Sequence, residues 1–282
     1  VGLLDATICD LYLVDDSGSL IGRPILTACI DAYSGLSCGY NVSFVGGNYS
    51  LRGLMLNVIT DKVAHCKKYG ITIEKTDWNC DKLPGTLVTD KGTEYVSENF
   101  EQITELGVSL INLPAYRPDL KGKIEKFFDL VQSSYKKHLK GKGVIEPDFG
   151  ERGGRDYRKD ACLTLKEFET IVLHCIIYYN TKLLLENFPF TEDMLKAQVK
   201  PFANCIWNYQ LESLGSNLIS VTTENLILTL LPRTNATFSR KGLKANGLRY
   251  KCEGFTERFL SGGAAVVAYN PEDCGTVWLY EK

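Results

Sequence analysis

An α/β core followed by a small β-barrel is the fold this sequence predicts, and three observations predict it. Residues 3–44 hold three strand-like runs joined by short turns. Residues 50–113 alternate helix-like and strand-like runs. After Pro201 the chain breaks into short β-like runs separated by Gly, Asn, Pro and Asp. Short joints make an antiparallel meander. Alternation makes parallel strands with helical crossovers, and closely spaced short strands make a barrel.

The elements follow in order. Runs 3–14, 23–31 and 37–44 are the meander, with turn formers at Asp16-Ser17-Gly18 and Tyr33-Ser34-Gly35. Residues 50–68 read as one helix, capped by Ser50, with Leu51, Leu54, Val58, Val63 and Cys66 at helical spacing. Residues 87–90 are a short buried strand, and 97–106 a helix stopped by Gly107. Residues 108–113 form another strand, closed by Pro114. The strongest helix starts at Pro118 and puts Leu120, Ile124, Phe127, Phe128, Val131, Tyr135 and Leu139 on one face. Residues 141–160 carry five glycines and many charges, which predicts an exposed, mobile insertion. Thr164 and Glu167 form a capping box for a helix over 164–180. Runs 221–231, 237–239, 247–252, 264–269 and 276–280 are the barrel strands. The predicted division is a core over 1–200, a linker over 201–220 and a barrel over 221–282.

Composition narrows the function. The chain has 282 residues, 44% hydrophobic and 23% charged, which is ordinary globular usage. Its longest apolar run, 171–179, is interrupted by His174 and is too short to span a membrane. The chain opens at Val1 with no basic-then-apolar leader, so a cytoplasmic fragment of a longer protein is expected. A net charge of −2 argues against a general polyanion binder but leaves local patches open. Ten cysteines without any C-x-x-C pair read as buried thiols in a reducing compartment, not a zinc site. A P-loop is missing, and three histidines give nucleophilic hydrolysis little support.

Three carboxylates sit where this fold brings element ends together: Asp5 in the first strand, Asp90 ending the fourth, and Glu125 in the strong helix. Oxygen-only ligands suit Mg²⁺ or Mn²⁺. Two such ions can activate the attacking oxygen and stabilise the leaving one in phosphodiester transfer. By spacing alone Asp10, Asp15, Asp16, Asp31 and Glu94 compete. The first three read as turn or edge residues, Asp31 equally as structural or peripheral, and Glu94 as second to Asp90 or simply exposed.

Local sequence decides among them. Leu4-Asp5-Ala6-Thr7, Tyr12-Leu13-Val14-Asp15, Ile21-Gly22-Arg23-Pro24 and Ile30-Asp31-Ala32-Tyr33-Ser34 come first. Leu87-Val88-Thr89-Asp90-Lys91-Gly92-Thr93-Glu94-Tyr95 follows, and then Arg117-Pro118-Asp119-Leu120-Lys121-Gly122-Lys123-Ile124-Glu125-Lys126-Phe127-Phe128. In order and spacing these segments resemble the catalytic core of the retroviral-integrase and transposase superfamily, closest to its Mu and Tn-seven-type B-subunit branch. The resemblance implies a ribonuclease-H-like mixed five-stranded sheet in the order 3-2-1-4-5, flanked by helices, and a small β-barrel after it. It implies a D-D-E site at Asp5, Asp90 and Glu125 holding two Mg²⁺ ions, with Mn²⁺ as substitute. It further implies hydrolysis at transposon 3′ ends and transfer of the 3′-OH to target DNA, in a bacterial cytoplasm. The partners it implies are transposon ends, target DNA, further copies of the chain and accessory transposition proteins. Lys91 stands where the family has Asn, so a site role for that side chain does not carry over. A same-fold nuclease without strand transfer and an inactive DNA-binding module are the rival readings.

Basic residues add a second signal. Residues 114–143 hold eight Lys or Arg against three acids, and 233–258 hold seven against two. Arg117, Lys121 and Lys123 around the third carboxylate, and Arg240, Lys241 and Lys244 on the barrel, are the expected DNA contacts. Lys136, Lys137, Lys140 and Lys142 divide evenly between DNA contact and a solvated face.

Overall fold

A computed structural model describes residues 1–89, 98–112, 118–147, 154–213, 217–251, 253–271 and 273–280. The meander comprises β1 (Gly2–Ile8), β2 (Leu13–Val14), β3 (Leu20–Gly22), β4 (Ile25–Asp31) and β5 (Ser37–Ser43). β4 is buried along almost its whole length, as a central strand covered on both faces must be. It pairs antiparallel with β1, from Gly2↔Asp31 to Ile8↔Ile25, and with β5 on its other side. The run expected as one strand over 3–14 is two. After Ile8, Cys9 N donates to the Pro24 carbonyl and Arg23 Nε donates to the Cys9 carbonyl. The chain thereby leaves the sheet and returns as β2, paired with β3.

Helices α1 (Asn48–Ile59) and α2 (Lys62–Lys68) replace the single helix expected over 50–68. Asp61 divides them, its carboxylate accepting from Ala64 N as the N-cap of α2. The buried Lys62 ammonium fills the gap from the other side. It donates to the carbonyls of Asn57, Val58 and Thr60 at the end of α1, and to that of Cys80. Orphan carbonyls of the last turn thus receive a cation.

Strands β6 (Leu83–Pro84) and β7 (Thr86–Thr89) come next, then α3 (Glu98–Glu101), a 3₁₀ turn over Gln102–Leu106, and β8 (Ser109–Asn112). Gly107 ends the turn at φ 87°, the left-handed position predicted for it. β7 pairs parallel with β1 and with β8, so the sheet runs β5-β4-β1-β7-β8. Counted along the chain within this sheet, that is the expected 3-2-1-4-5 order.

The strong helix, α4 (Pro118–His138), packs on β1. Its Ile124, Phe127, Phe128, Val131 and Tyr135 enter one core with Leu3 and Leu4. α5 (Leu165–Lys182) lies beside it and starts with the predicted Thr164–Glu167 box. Part of the insertion, 148–153, lies outside the described residues. Its start is pinned instead of loose: Val144 is buried, Tyr12 N donates to the Gly143 carbonyl and Ile145 N to that of Asp10.

α6 (Glu192–Lys196), α7 (Ala203–Ser213), β9 (Leu218–Ile219) and α8 (Thr223–Leu230) follow. The stretch expected as linker therefore holds a helix whose Ala203 and Trp207 join the main core, and a strand pairing with β6. The expected strand over 221–231 is α8. Thr222 caps it, and Leu226 and Leu230, one helical turn apart, are buried in the same core. Four-residue spacing outweighed the β-branched residues there.

The second sheet is built from β10 (Arg233–Ser239), β11 (Gly242–Ala245), β12 (Leu248–Tyr250), β13 (Gly263–Asn270) and β14 (Asp273–Tyr280), with α9 (Thr256–Ser261) between β12 and β13. It is antiparallel, ordered β12-β11-β10-β13-β14, around a separate core of Ala236, Phe238, Leu243, Ala245 and Val267. The sheet curls into a near-closed barrel, and Tyr250 Oη on one edge strand donates to the Cys274 carbonyl on the other at 2.9 Å. No helix among the described residues is long and apolar enough to cross a membrane.

Candidate active site

Asp5 sits midway along β1, half-buried, with Oδ1 accepting from Ala6 N at 2.8 Å. Glu125 follows the buried Ile124 on α4, and its own side chain is exposed. Helical periodicity explains the contrast, since one step of 100° carries the chain from the core face toward solvent. Glu125 has no hydrogen-bond or ion-pair partner among the described residues. Because α4 packs on β1, the fold brings two of the three predicted carboxylates onto neighbouring elements. Asp90 lies outside the described residues, as do Lys91 and Glu94. The described part of β7 ends at the preceding residue, Thr89, which is buried and donates to Asn112 Oδ1 at 2.7 Å. Among the described residues no three His, Cys, Asp or Glu side chains are grouped to hold a metal.

The rival carboxylates have other employment. Asp31 is buried, and its Oδ2 accepts from Ser34 N, Ser34 Oγ and Tyr33 N, fixing the turn between β4 and β5. Asp15 accepts from Ser17 and Ser19 in a turn of its own, which holds its carboxyl below the usual range. Asp16 is exposed. Asp10 is a buttress that the sequence did not show. Arg23 and Lys136 both donate to its carboxylate, and Gln132 Oε1 accepts from its backbone N–H at 3.0 Å. The exit of β1 is thereby tied to the last two turns of α4. The four-residue spacing of Gln132 and Lys136 was the available signal, since it places both on one helix face.

The expected DNA contacts scatter. Arg117 and the side chain of Lys121 lie outside the described residues. Lys123 is two positions from Glu125 and so on nearly the opposite side of α4, where Nζ donates to the Ala32 carbonyl at 2.6 Å. Lys136 is held by Asp10, and Lys140 lies 3.6 Å from Glu146. On the barrel, Arg240, Lys241, Lys244, Arg249 and Lys251 are all exposed. Lys244 and Arg249 are directly opposite across β11 and β12, and none of the five pairs with an acid among the described residues. Like charges facing each other across a sheet oppose folding, so an outside anion would relieve them.

Buried groups beneath the sheet are held neutral. The Cys9 thiol is pushed up to about 12, chiefly by burial, and that of Cys66 to about 11 for the same reason. The cysteines fit the predicted buried class at positions 9, 29, 38, 66 and 80, whereas Cys162 and Cys274 are exposed. Tyr179 and Trp207 pack inside, whereas Tyr178 is exposed.

Sequence comparison supplies relatives. Residues 3–141 match the TnsB C-terminal domain family, and residues 228–282 match the Mu transposase C-terminal family. The transposon Tn7 transposition protein TnsB of Escherichia coli is 31% identical over 99% of this chain and 41% of its own length. The transposase for transposon Tn552 of Staphylococcus aureus is 25% identical over 99% of this chain and 51% of its own. The chain therefore spans about half or less of these relatives. Among solved structures, the catalytic core domain of BIV integrase superposes on 70% of this chain and 94% of its own, with a TM-score of 0.37 and 13% identity.

Proposed function

We propose that the chain, whose residues 3–141 match the TnsB C-terminal domain family and whose residues 228–282 match the Mu transposase C-terminal family, carries the catalytic centre of a DNA transposase, with Asp5, Asp90 and Glu125 as its metal ligands. One observation carries this reading. Leu3 and Val88 are partners in the parallel register of β1 and β7. Asp5 is two residues beyond Leu3, and Asp90 two residues beyond Val88. Ligands of such sheets gather at the carboxyl ends of parallel strands, and α4, with its exposed Glu125, packs on the same β1.

The donors fit a hard divalent cation, since all three are carboxylates and Glu125 is unengaged among the described residues. Bound there, Mg²⁺ would lower the cost of charge developing on the attacking and leaving oxygens. The chain's own part is positional. Asp5 is held by a strand paired on both sides, and Glu125 by a helix fixed through the Asp10 buttress. In the first step, water attacks the phosphorus at a transposon 3′ end and the 3′ oxygen leaves as a hydroxyl. In the second, that hydroxyl attacks a target phosphodiester and displaces another 3′ oxygen. Lys121, Arg117 and the exposed Arg240, Lys241 and Lys244 would hold backbone phosphates. Lys123 would have to release the Ala32 carbonyl to join them.

The test uses duplexes bearing the ends of the element that encodes the chain, with a supercoiled plasmid as target. Joined products in Mg²⁺ or Mn²⁺ are expected. Asp5→Asn or Glu125→Gln should remove them by on the order of a thousandfold while leaving DNA retention intact. Cleaved but never joined DNA would favour a nuclease. Equal activity in the variants would overturn the ligand assignment.

A further inference from the structure

β7 is not tied equally to its two neighbours. Among the described residues its ladder to β1 consists of Gly2↔Leu87 and Leu3↔Val88, although β1 runs on to Ile8. Its ladder to β8 continues past that point, through Val88↔Ile111 to Thr89↔Asn112. Thr89 thus has a partner on β8 and, among the described residues, none on β1. The end of β7 is carried by β8. Asp5 lies beyond the last β1–β7 pair, and Asp90 is the residue that follows Thr89.

A side-chain bond reinforces the pair that does the carrying. Thr89 Oγ1 donates to Asn112 Oδ1 at 2.7 Å, and Thr89 is only 1% exposed. A buried hydroxyl is costly to leave unpaired, so Asn112 holds this one in place. Successive side chains of a strand point to opposite faces. Val88 shares a face with its partner Leu3, and so with Asp5 two residues on. Thr89 and Asn112 therefore meet on the reverse of the sheet, behind the face that carries Asp5. Their bond takes no room where a cation would sit.

Both residues also stand at junctions. Asp90 follows Thr89 directly, and a short connection leads from Asn112 to Pro118, where α4 with Glu125 begins. β8 is the edge strand of the sheet, and strand ends at an edge fray unless something ties them. One hydrogen bond thus joins the roots of the two segments that bring in the second and third carboxylates.

Resting on the carboxylate assignment above, we propose that Asn112 is a positioning residue for the metal centre. By holding the Thr89 hydroxyl it fixes the end of β7, and with it the placing of Asp90 relative to Asp5 and Glu125. Neither Thr89 nor Asn112 touches the cation. Groups that orient a ligand from behind commonly govern metal affinity all the same.

Mn²⁺ binding by the 282-residue chain, followed through the electron paramagnetic resonance signal of the free ion, tests this. Asn112→Ala and Thr89→Val remove the bond from either side, and each should weaken Mn²⁺ binding at least about tenfold. Thr89→Ser keeps the hydroxyl and should restore most of the affinity. In the double variant the two losses should not add, because both delete one interaction. Joining assays should need correspondingly more Mn²⁺ for half-maximal rate, with DNA retention unchanged. Circular dichroism and urea midpoints report folding. Asn112 is half-buried, so Asn112→Ala carries the test if Thr89→Val does not fold. Folded variants that lose stability yet bind Mn²⁺ as wild type does would overturn the proposal and leave the bond a structural tie. So would losses that add in the double variant. Asp5→Asn separates this outcome from the assignment beneath it. If Asp5→Asn also binds Mn²⁺ like wild type, the carboxylate assignment falls and this proposal falls with it.

Discussion

Arg233 and Glu105 lock the barrel to the core. Both terminal guanidinium nitrogens donate to the carboxylate, at 2.8 and 2.7 Å, and the guanidinium carbon lies 3.7 Å from the centre of the Tyr280 ring. The Tyr280 hydroxyl donates to the same carboxylate at 3.1 Å. Beside them Gln102, its amide nitrogen turned toward α8, donates to the carbonyls of Thr229 and Leu231. Glu105 and Gln102 belong to the turn that follows Asp90 in sequence, so the barrel grips the segment leading away from the second candidate carboxylate.

Arg233→Ala should therefore cost about 1–3 kcal/mol of docking free energy, as loss of a charged, forked hydrogen bond does. Limited proteolysis between α7 and β10 should accelerate. Arg233→Lys keeps the charge without the fork and should restore only part of the protection.

Gly39 marks where α1 crosses β5. A Cβ there would stand 2.7 Å from Val58 Cγ2 and 3.0 Å from Val58 Cα, which is backbone and cannot step aside. Gly39→Ala should destabilise the core by about 1–3 kcal/mol, read from the denaturation midpoint. Gly122→Ala, with open space around its Cβ position, should show no such loss.

His65 gives the fold an acid limit. Its Nε2 lies 3.0 Å from Tyr40 Oη and 3.4 Å from Asn57 Nδ2, while Asn57 Oδ1 accepts from Tyr40 N. Two donors directed at one nitrogen make it an acceptor, so the imidazole is neutral. Burial, with the Lys62 and Lys68 charges behind it, pushes its pKa from 6.5 to about 4. The unfolded chain takes up a proton near pH 6.5 that the folded one refuses until about 4. Stability from this site is thus complete above 6.5 and falls as pH drops toward 4. In urea titrations across that window, His65→Gln should flatten the slope.

Lys244 and Arg249 provide the DNA test. If they hold phosphates, replacing both by Gln should lower the slope of log affinity against log salt by about 2, weakening all sequences alike. If the pair only keeps the barrel soluble, the slope will not move.

Much of this was readable in the sequence because local signals agreed with the global fold. Gly107, the Thr164–Glu167 box and the apolar stripe from Ile124 to Tyr135 each sit where their chemistry placed them. The misreadings share a cause, which is that tertiary partners decided. Asp61 and Lys62 broke a helix whose apolar spacing ran on through both. Leu226 and Leu230 were recruited by the core, turning an apparent strand into α8. Of the candidate carboxylates, Asp5 and Glu125 sit on the strand and the helix expected for them. The Asp10 buttress was not legible, because its partners lie 13 and 126 positions away. Lys123 shows that nearness in sequence does not set a helix face, since residues two apart lie on nearly opposite sides.

The parallel pairing of β1 with β7 has a kinetic side. β1, β4 and β5 join through short connections, whereas Leu3 and Val88 meet across 85 positions of chain. Closing that loop costs entropy that only a preformed surface repays. The meander should therefore acquire amide protection first, and the strands that carry Asp5 and precede Asp90 should come together afterwards. A nascent chain released before β7 would be a folded sheet edge carrying one of the three candidate carboxylates.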